Sequence, residues 1–163
     1  MSGDDSQRSD STEQWSRPQY AIAYMEARAV LNSQQQRQTN LDDKALRTAR
    51  LTTVIVGALI TVIEAFNVSV AQLLGYIGIA LLVVSFGAGL VVYSVSAPIL
   101  GPNADGLEEL VEADDNWERM FLSKLEAAIS TNTDHLDQNS FLLLISNVAL
   151  FVGVILALAA IAI

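Results

Sequence analysis

Residues 65–104 read AFNVSVAQLLGYIGIALLVVSFGAGLVVYSVSAPILGPNA, a run of 40 residues between Glu64 and Asp105 that carries no charge. A second uncharged run, QNSFLLLISNVALFVGVILALAAIAI, fills residues 138–163. A bilayer core about 30 Å thick takes about 20 apolar residues at about 1.5 Å of rise each. Both runs exceed that length, and a helix in a soluble core rarely needs so much uncharged sequence. The chain has 163 residues and is 52% hydrophobic, values that also fit a soluble protein. The segregation of charge is what identifies a membrane protein.

Composition narrows the function classes. There is no cysteine, so disulfides and thiolate metal sites are excluded. His135 is the single histidine, and a zinc site normally draws on several His or Cys ligands. His135 lies in Thr133-Asp134-His135-Leu136-Asp137, which reads as a solvated turn with no activated nucleophile beside it. No catalytic residue, metal or cofactor is expected, and the chain is not read as an enzyme. The net charge of −9 argues against nucleic acid, because phosphate binding needs clustered Lys and Arg. The basic residues are seven Arg and two Lys, against ten Asp and eight Glu. This acidic, lysine-poor balance resembles that of extreme halophiles.

The expected fold is an all-α membrane protein. Residues 1–18 are polar and rich in Ser and Asp, which predicts a disordered tail. They hold no apolar core of a signal peptide, so the first hydrophobic segment is expected to serve as its own targeting signal. Residues 19–50 form a cytoplasmic helix. Tyr20, Tyr24, Ala27, Leu31, Gln34, Gln38, Leu41 and Ala45 recur along it at alternating steps of four and three. That is a heptad seam, interrupted by Gln34 and Gln38. So polar a seam is poor glue for a dimer, and is expected to pack on the protein's own cytoplasmic helices.

A transmembrane hairpin follows over 51–96, with spans at about Leu51–Val68 and Ala71–Ser94. Thr53, Gly57, Thr61 and Ala65 form a stripe of small residues on the first span. Ala71/Gly75 and Ser85/Gly89 do so on the second, and Tyr76 and Tyr93 mark its ends. Asn67-Val68-Ser69 is the hairpin turn, and its N-x-S pattern lies too close to the membrane to be modified. Ala97-Pro98 and Gly101-Pro102-Asn103 break the helix. The 97–140 stretch is a cytoplasmic insert of two short amphipathic helices. Leu107, Leu110 and Val111 line one, which begins near Asn103. Trp117, Met120, Phe121, Leu125 and Ala128 line the other, and the Asp115/Glu118 spacing fits a helix start. The third transmembrane helix is 141–163, with the small stripe Ala149, Gly153 and Ala157 and the polar residues Ser146 and Asn147.

Basic residues set the orientation. Seven precede the first span, none lies in the hairpin turn, and two lie in the 97–140 connection. The positive-inside rule then puts the N-terminus in the cytoplasm and the C-terminus outside, with Arg37, Lys44, Arg47 and Arg50 carrying most of the weight.

Glu64 is the one charge within a span. Thirteen residues beyond Leu51, it falls about 20 Å across a core of about 30 Å. A charge there is costly and marks a functional candidate, lining a polar path with Thr53 and Thr61 on neighbouring faces. On the alternative reading the helix sits a turn lower and Glu64 reaches the outer headgroups.

Asp42-Asp43-Lys44-Ala45 fits an Asp-x-Lys-Ala signature. It ends a Gln-rich helix (Asn32 through Gln38) and precedes the hydrophobic hairpin. In this the chain resembles the small membrane effectors of prokaryotic cyclic-nucleotide defence systems, the PycTM group and its relatives in the SLATT superfamily. It is also similar to haloarchaeal multi-pass membrane proteins of unassigned role. The likeness covers roughly residues 20–163 in layout and four residues in motif. It implies a homo-oligomer in the lipid bilayer that disturbs the membrane when an infection signal arrives. No separate nucleotide-binding domain is legible, so sensing would need a cytoplasmic sensor partner or a site assembled between subunits. Asp42 and Lys44 read equally as a surface pair, with Lys44 marking the cytoplasmic interface.

Overall fold

The structure is a computed structural model, and it describes residues 15–66, 70–94, 98–113 and 116–162. The tail to residue 14, the turn Asn67-Val68-Ser69, Ala97, Asp115 and Ile163 lie outside the described residues. Four α-helices follow in order: α1 (Pro18–Phe66), α2 (Gln72–Ser94), α3 (Ala104–Glu112) and α4 (Trp117–Ala162). Three of them, α1, α2 and α4, are long and apolar enough to cross a membrane, and helices of this kind mark a membrane protein.

Two of these helices differ from the sequence expectation. α1 runs through the 50/51 boundary unbroken, so that boundary is a change of composition within one helix. The second short helix of the insert is instead the first part of α4, which continues to Ala162. The supposed turn around His135 is therefore helical, with His135 exposed on it. The reason is local. No glycine or proline occurs between Trp117 and Val152, and polar residues alone do not end a helix. The Thr133 and Ser140 hydroxyls donate back to the carbonyls of Ile129 and Leu136, at 2.9 and 2.7 Å, a bond compatible with a continuing helix.

The chain divides into two packed units. The first combines Met1–Gln36 with Pro98–His135. Its core joins Leu31 of α1 to Leu125 and Ala128 of α4, with Tyr24, Ala27, Phe121, Leu122 and Ile129 around them. Trp15 stacks on Trp117 at 5.7 Å and meets Tyr24 at 5.4 Å between ring centres. Tyr24 in turn meets Phe121 at 5.9 Å, all within the range of favourable aromatic pairs. The carboxylate of Glu118 accepts from the Ser16 amide at 2.6 Å and from the Ser16 hydroxyl. α3 begins at Asn103, whose side chain accepts from Gly106 N at 2.9 Å, an N-cap. Its expected apolar face is not buried: Leu107 and Val111 are exposed, and Gly106 is the residue that packs, against Pro102 and Lys124. Lys124 also pairs with Glu109.

The second unit combines Arg37–Ala97 with Leu136–Ile163. Its core gathers Leu41 and Ala45 of α1, Val92 of α2, and Leu136 and Leu143 of α4. The buried face of α2 is Gly75, Gly78, Leu82, Ser85, Gly89 and Val92, at steps of three and four. On α4, Leu143, Ser146, Ala149, Leu150, Gly153, Ala157 and Ala160 are buried. The helices α2 and α4 meet backbone to backbone. A Cβ added at Gly78 would lie 3.1 Å from Gly153 O, and one at Gly153 would lie 3.0 Å from Gly78 O. Ala71 N donates to Ala160 O at 2.9 Å. This pairs an open amide just ahead of α2 with an open carbonyl at the end of α4.

Candidate functional site

Buried polar groups are few and specific. In the second unit Thr52, Ser85 and Ser146 are fully or almost fully buried, one on each of α1, α2 and α4. Thr52 Oγ1 donates to Thr48 O at 2.9 Å, and Ser146 Oγ donates to Ser85 O at 2.7 Å. Those two protons are thereby committed. Ser85 Oγ, which keeps the one uncommitted proton, lies 3.4 Å from Thr52 Oγ1 and 3.4 Å from Ser146 Oγ. These oxygen separations are longer than an ordinary O–H···O bond. The result is a small polar knot that ties the three helices together, and such contacts between membrane helices average about 0.6 kcal/mol each. A turn away on α1, Thr48 Oγ1 faces Asn147 Oδ1 at 3.1 Å.

The two glutamines of the α1 seam are both partnered. In the first unit Gln34 donates to Ile129 O and Thr133 Oγ1, each at 3.0 Å, and accepts from Asn132 at 3.3 Å. In the second, Gln38 donates to Asp42 at 2.9 Å and accepts from Asn139 at 3.5 Å. Asp42 can only accept when ionised, so it turns the Gln38 amide nitrogen toward itself and presents the carbonyl oxygen to Asn139. This gives the Asp-x-Lys-Ala stretch a structural role. Asp42 orients the glutamine, and Ala45 is fully buried with its carbonyl 3.3 Å from where a Cβ on Gly89 would sit. Lys44 is exposed.

The candidate path residues do not converge within one chain. Thr53, Gly57, Thr61, Glu64 and Ala65 are all exposed. The Thr53 and Thr61 hydroxyls donate to their own helix, to Ala49 O at 3.0 Å and Gly57 O at 2.8 Å. Glu64 falls in the last turn of α1, which ends at Phe66. Nothing lies within 4 Å of a Cβ built on Gly57. The other packing glycines are engaged inside the unit: Gly153 with α2, Gly89 with α1 and α4, and Gly75 with Val70 just ahead of its own helix. Gly78 was not singled out by sequence. Its signal is the spacing from Gly75 through Val92, which small pairs four apart did not capture. Thr52 was also missed, being adjacent to the more conspicuous Thr53. Searched against protein-family models, curated proteins and solved structures, the chain matches none.

Proposed function

We propose that this protein is a non-enzymatic membrane effector that assembles from several copies and perturbs the bilayer, in a cyclic-nucleotide antiviral defence setting. The observation that carries the assembly step is the bare face of α1. Thr53, Gly57, Thr61 and Glu64 are exposed, while the neighbouring Thr52 is buried against α2. Small residues on a membrane helix permit close approach of another helix. A ring of copies meeting there would gather Glu64 carboxylates round an axis, and acidic rings favour cations. The heptad spacing of α1 and the Asp42, Lys44 and Ala45 signature support the resemblance to the PycTM and SLATT effectors. The N-terminus is assigned to the cytoplasm and the C-terminus to the outside, from the basic residues before Leu51. A cytoplasmic sensor protein would supply the trigger, and the acid-rich composition fits a halophilic source. Nucleic acid is not a partner on this reading.

A second reading, a structural or accessory membrane protein without conducting activity, draws on a different observation. Among the described residues, no buried side-chain polar atom lacks a hydrogen-bond partner. The seam is satisfied as it stands.

The test is ion leakage from vesicles holding wild type, Glu64→Gln or Gly57→Leu at matched protein content. The effector reading expects leakage from wild type and less from both variants, with insertion unchanged. A wild type that stays tight even with its native partner and signal would eliminate it. Leakage unaffected by Glu64→Gln would return Glu64 to the outer headgroups.

A further inference from the structure

We infer that the second unit holds one hydrocarbon chain of a membrane lipid in a groove between α1, α2 and α4. The inference rests on the membrane reading of these helices and is independent of the effector reading. The groove has a volume of about 140 Å³. Val56, Ile60 and Ile63 form its α1 wall, Ile79 and Leu82 its α2 wall, and Ile161 closes it from α4. Every residue that lines it is apolar.

Three occupants can be compared. Water needs two to four polar partners, and a cavity of similar size, about 150 Å³, with an apolar lining stays dry. A further helix is about 10–12 Å across with its side chains, so it would lie over the groove and not within it. A lipid chain fits on shape, chemistry and direction. Val56, Ile60 and Ile63 lie on successive turns of α1, so the groove follows that helix for about 10 Å. Helices that span a bilayer tilt by only about 20° on average from its normal, the direction along which lipid chains run. Ile60 and Ile79 are exposed at the rim, where hydrocarbon from the surrounding bilayer can enter.

The packing around the groove explains why it exists. α2 and α4 are drawn together at Gly78 and Gly153. α1 is tied to α2 at Thr52, and beyond that point its exposed residues predominate. The groove occupies the gap that α1 leaves beside the close α2/α4 pair.

The experiment uses the full chain in vesicles of phosphatidylcholine and phosphatidylglycerol. These carry a phospholipid with a photoactivatable diazirine in its acyl chain, and labelled peptides are mapped by mass spectrometry. Phe151, exposed on α4, reports ordinary contact with lipid. The expected result is label at Val56–Ile63 and Ile79 in excess of that at Phe151. Ile60→Trp and, from the other wall, Ile79→Trp should each abolish the excess and leave Phe151 labelling unchanged. Both sites are on the exposed rim, which makes the variants tolerable for folding. Equal labelling of groove and Phe151, unaltered by either variant, overturns the inference and leaves the membrane reading intact. Absence of label at Phe151 as well overturns both. The chain has no cysteine, so a disulfide between two copies of Ile79→Cys, on the α2 wall, would show that a second copy covers the groove, and would also overturn it.

Discussion

Asn132 holds the main chain of Ile99 with both ends of its carboxamide: Oδ1 accepts from Ile99 N at 2.9 Å, and Nδ2 donates to Ile99 O at 2.8 Å. The same Nδ2 reaches Gln34 Oε1 at 3.3 Å. One buried side chain thus satisfies the backbone of Ile99, ahead of α3, and joins it to the α1 seam. Arg28 adds a bond to Leu100 O at 2.9 Å.

Asn132→Leu should release that connection. The variant keeps the size of the side chain but leaves both polar groups of Ile99 unpaired, at about 1–3 kcal/mol each where they stay buried. Hydrogen exchange at the amides of Ile99 and Leu100 should rise sharply, with faster proteolysis across 98–103. Unchanged exchange would show that the clamp carries no weight.

Gly153→Leu and Gly78→Leu should both weaken the second unit, since each side chain would run into the facing backbone. Overpacking of this kind costs about 1–3 kcal/mol, sometimes more. Gly57→Leu meets nothing within 4 Å and should leave thermal unfolding of the single chain in detergent unchanged. The three variants compared by melting temperature separate packing inside the chain from contacts between copies.

Phe121→Asp should disrupt the aromatic cluster of the first unit. Phe121 faces Tyr24 and Trp15 at 5.9 and 6.4 Å between ring centres, and loss of a large aromatic with insertion of a charge costs about 2 kcal/mol or more. Tryptophan fluorescence from Trp15 and Trp117 should shift to the red. A spectrum and protease sensitivity equal to wild type would mean the face is not packed.

Single-cysteine labelling tests the orientation. Gly3→Cys should be protected from an impermeant reagent on intact cells, and Ser69→Cys, between α1 and α2 in the sequence, should react. The reverse pattern would invert the assignment drawn from Arg37, Lys44, Arg47 and Arg50.

Much of the packing was legible in the sequence because it repeats. The steps of three and four that pick out Leu31, Gln34, Gln38, Leu41 and Ala45 pick out residues that are buried. Gly89, Gly153 and Ala157 were likewise visible as small residues. What sequence could not show is partnership. Gln34 and Gln38 interrupt an apolar seam, and nothing local indicates that Asn132 and Asn139, far along the chain, satisfy them. Thr133 through Asp137 misled for another reason. Its polarity resembles that of a turn, yet no glycine or proline breaks the backbone there, and the Thr133 and Ser140 hydroxyls bond back to their own helix. The face of Leu107 and Val111 shows that an amphipathic pattern alone does not guarantee a partner within the chain.

The bond from Ala71 N to Ala160 O has a consequence for biogenesis. Its acceptor is synthesised roughly 90 residues after its donor, an interval of about 5–20 s at about 5–20 residues per second. Through that interval Gly78, Ser85 and Gly89 lack the α4 residues they pack against. The close α2/α4 approach cannot form before α4 has been made. A translational pause before Phe141 would lengthen that interval and leave these small and polar residues without their partners for longer.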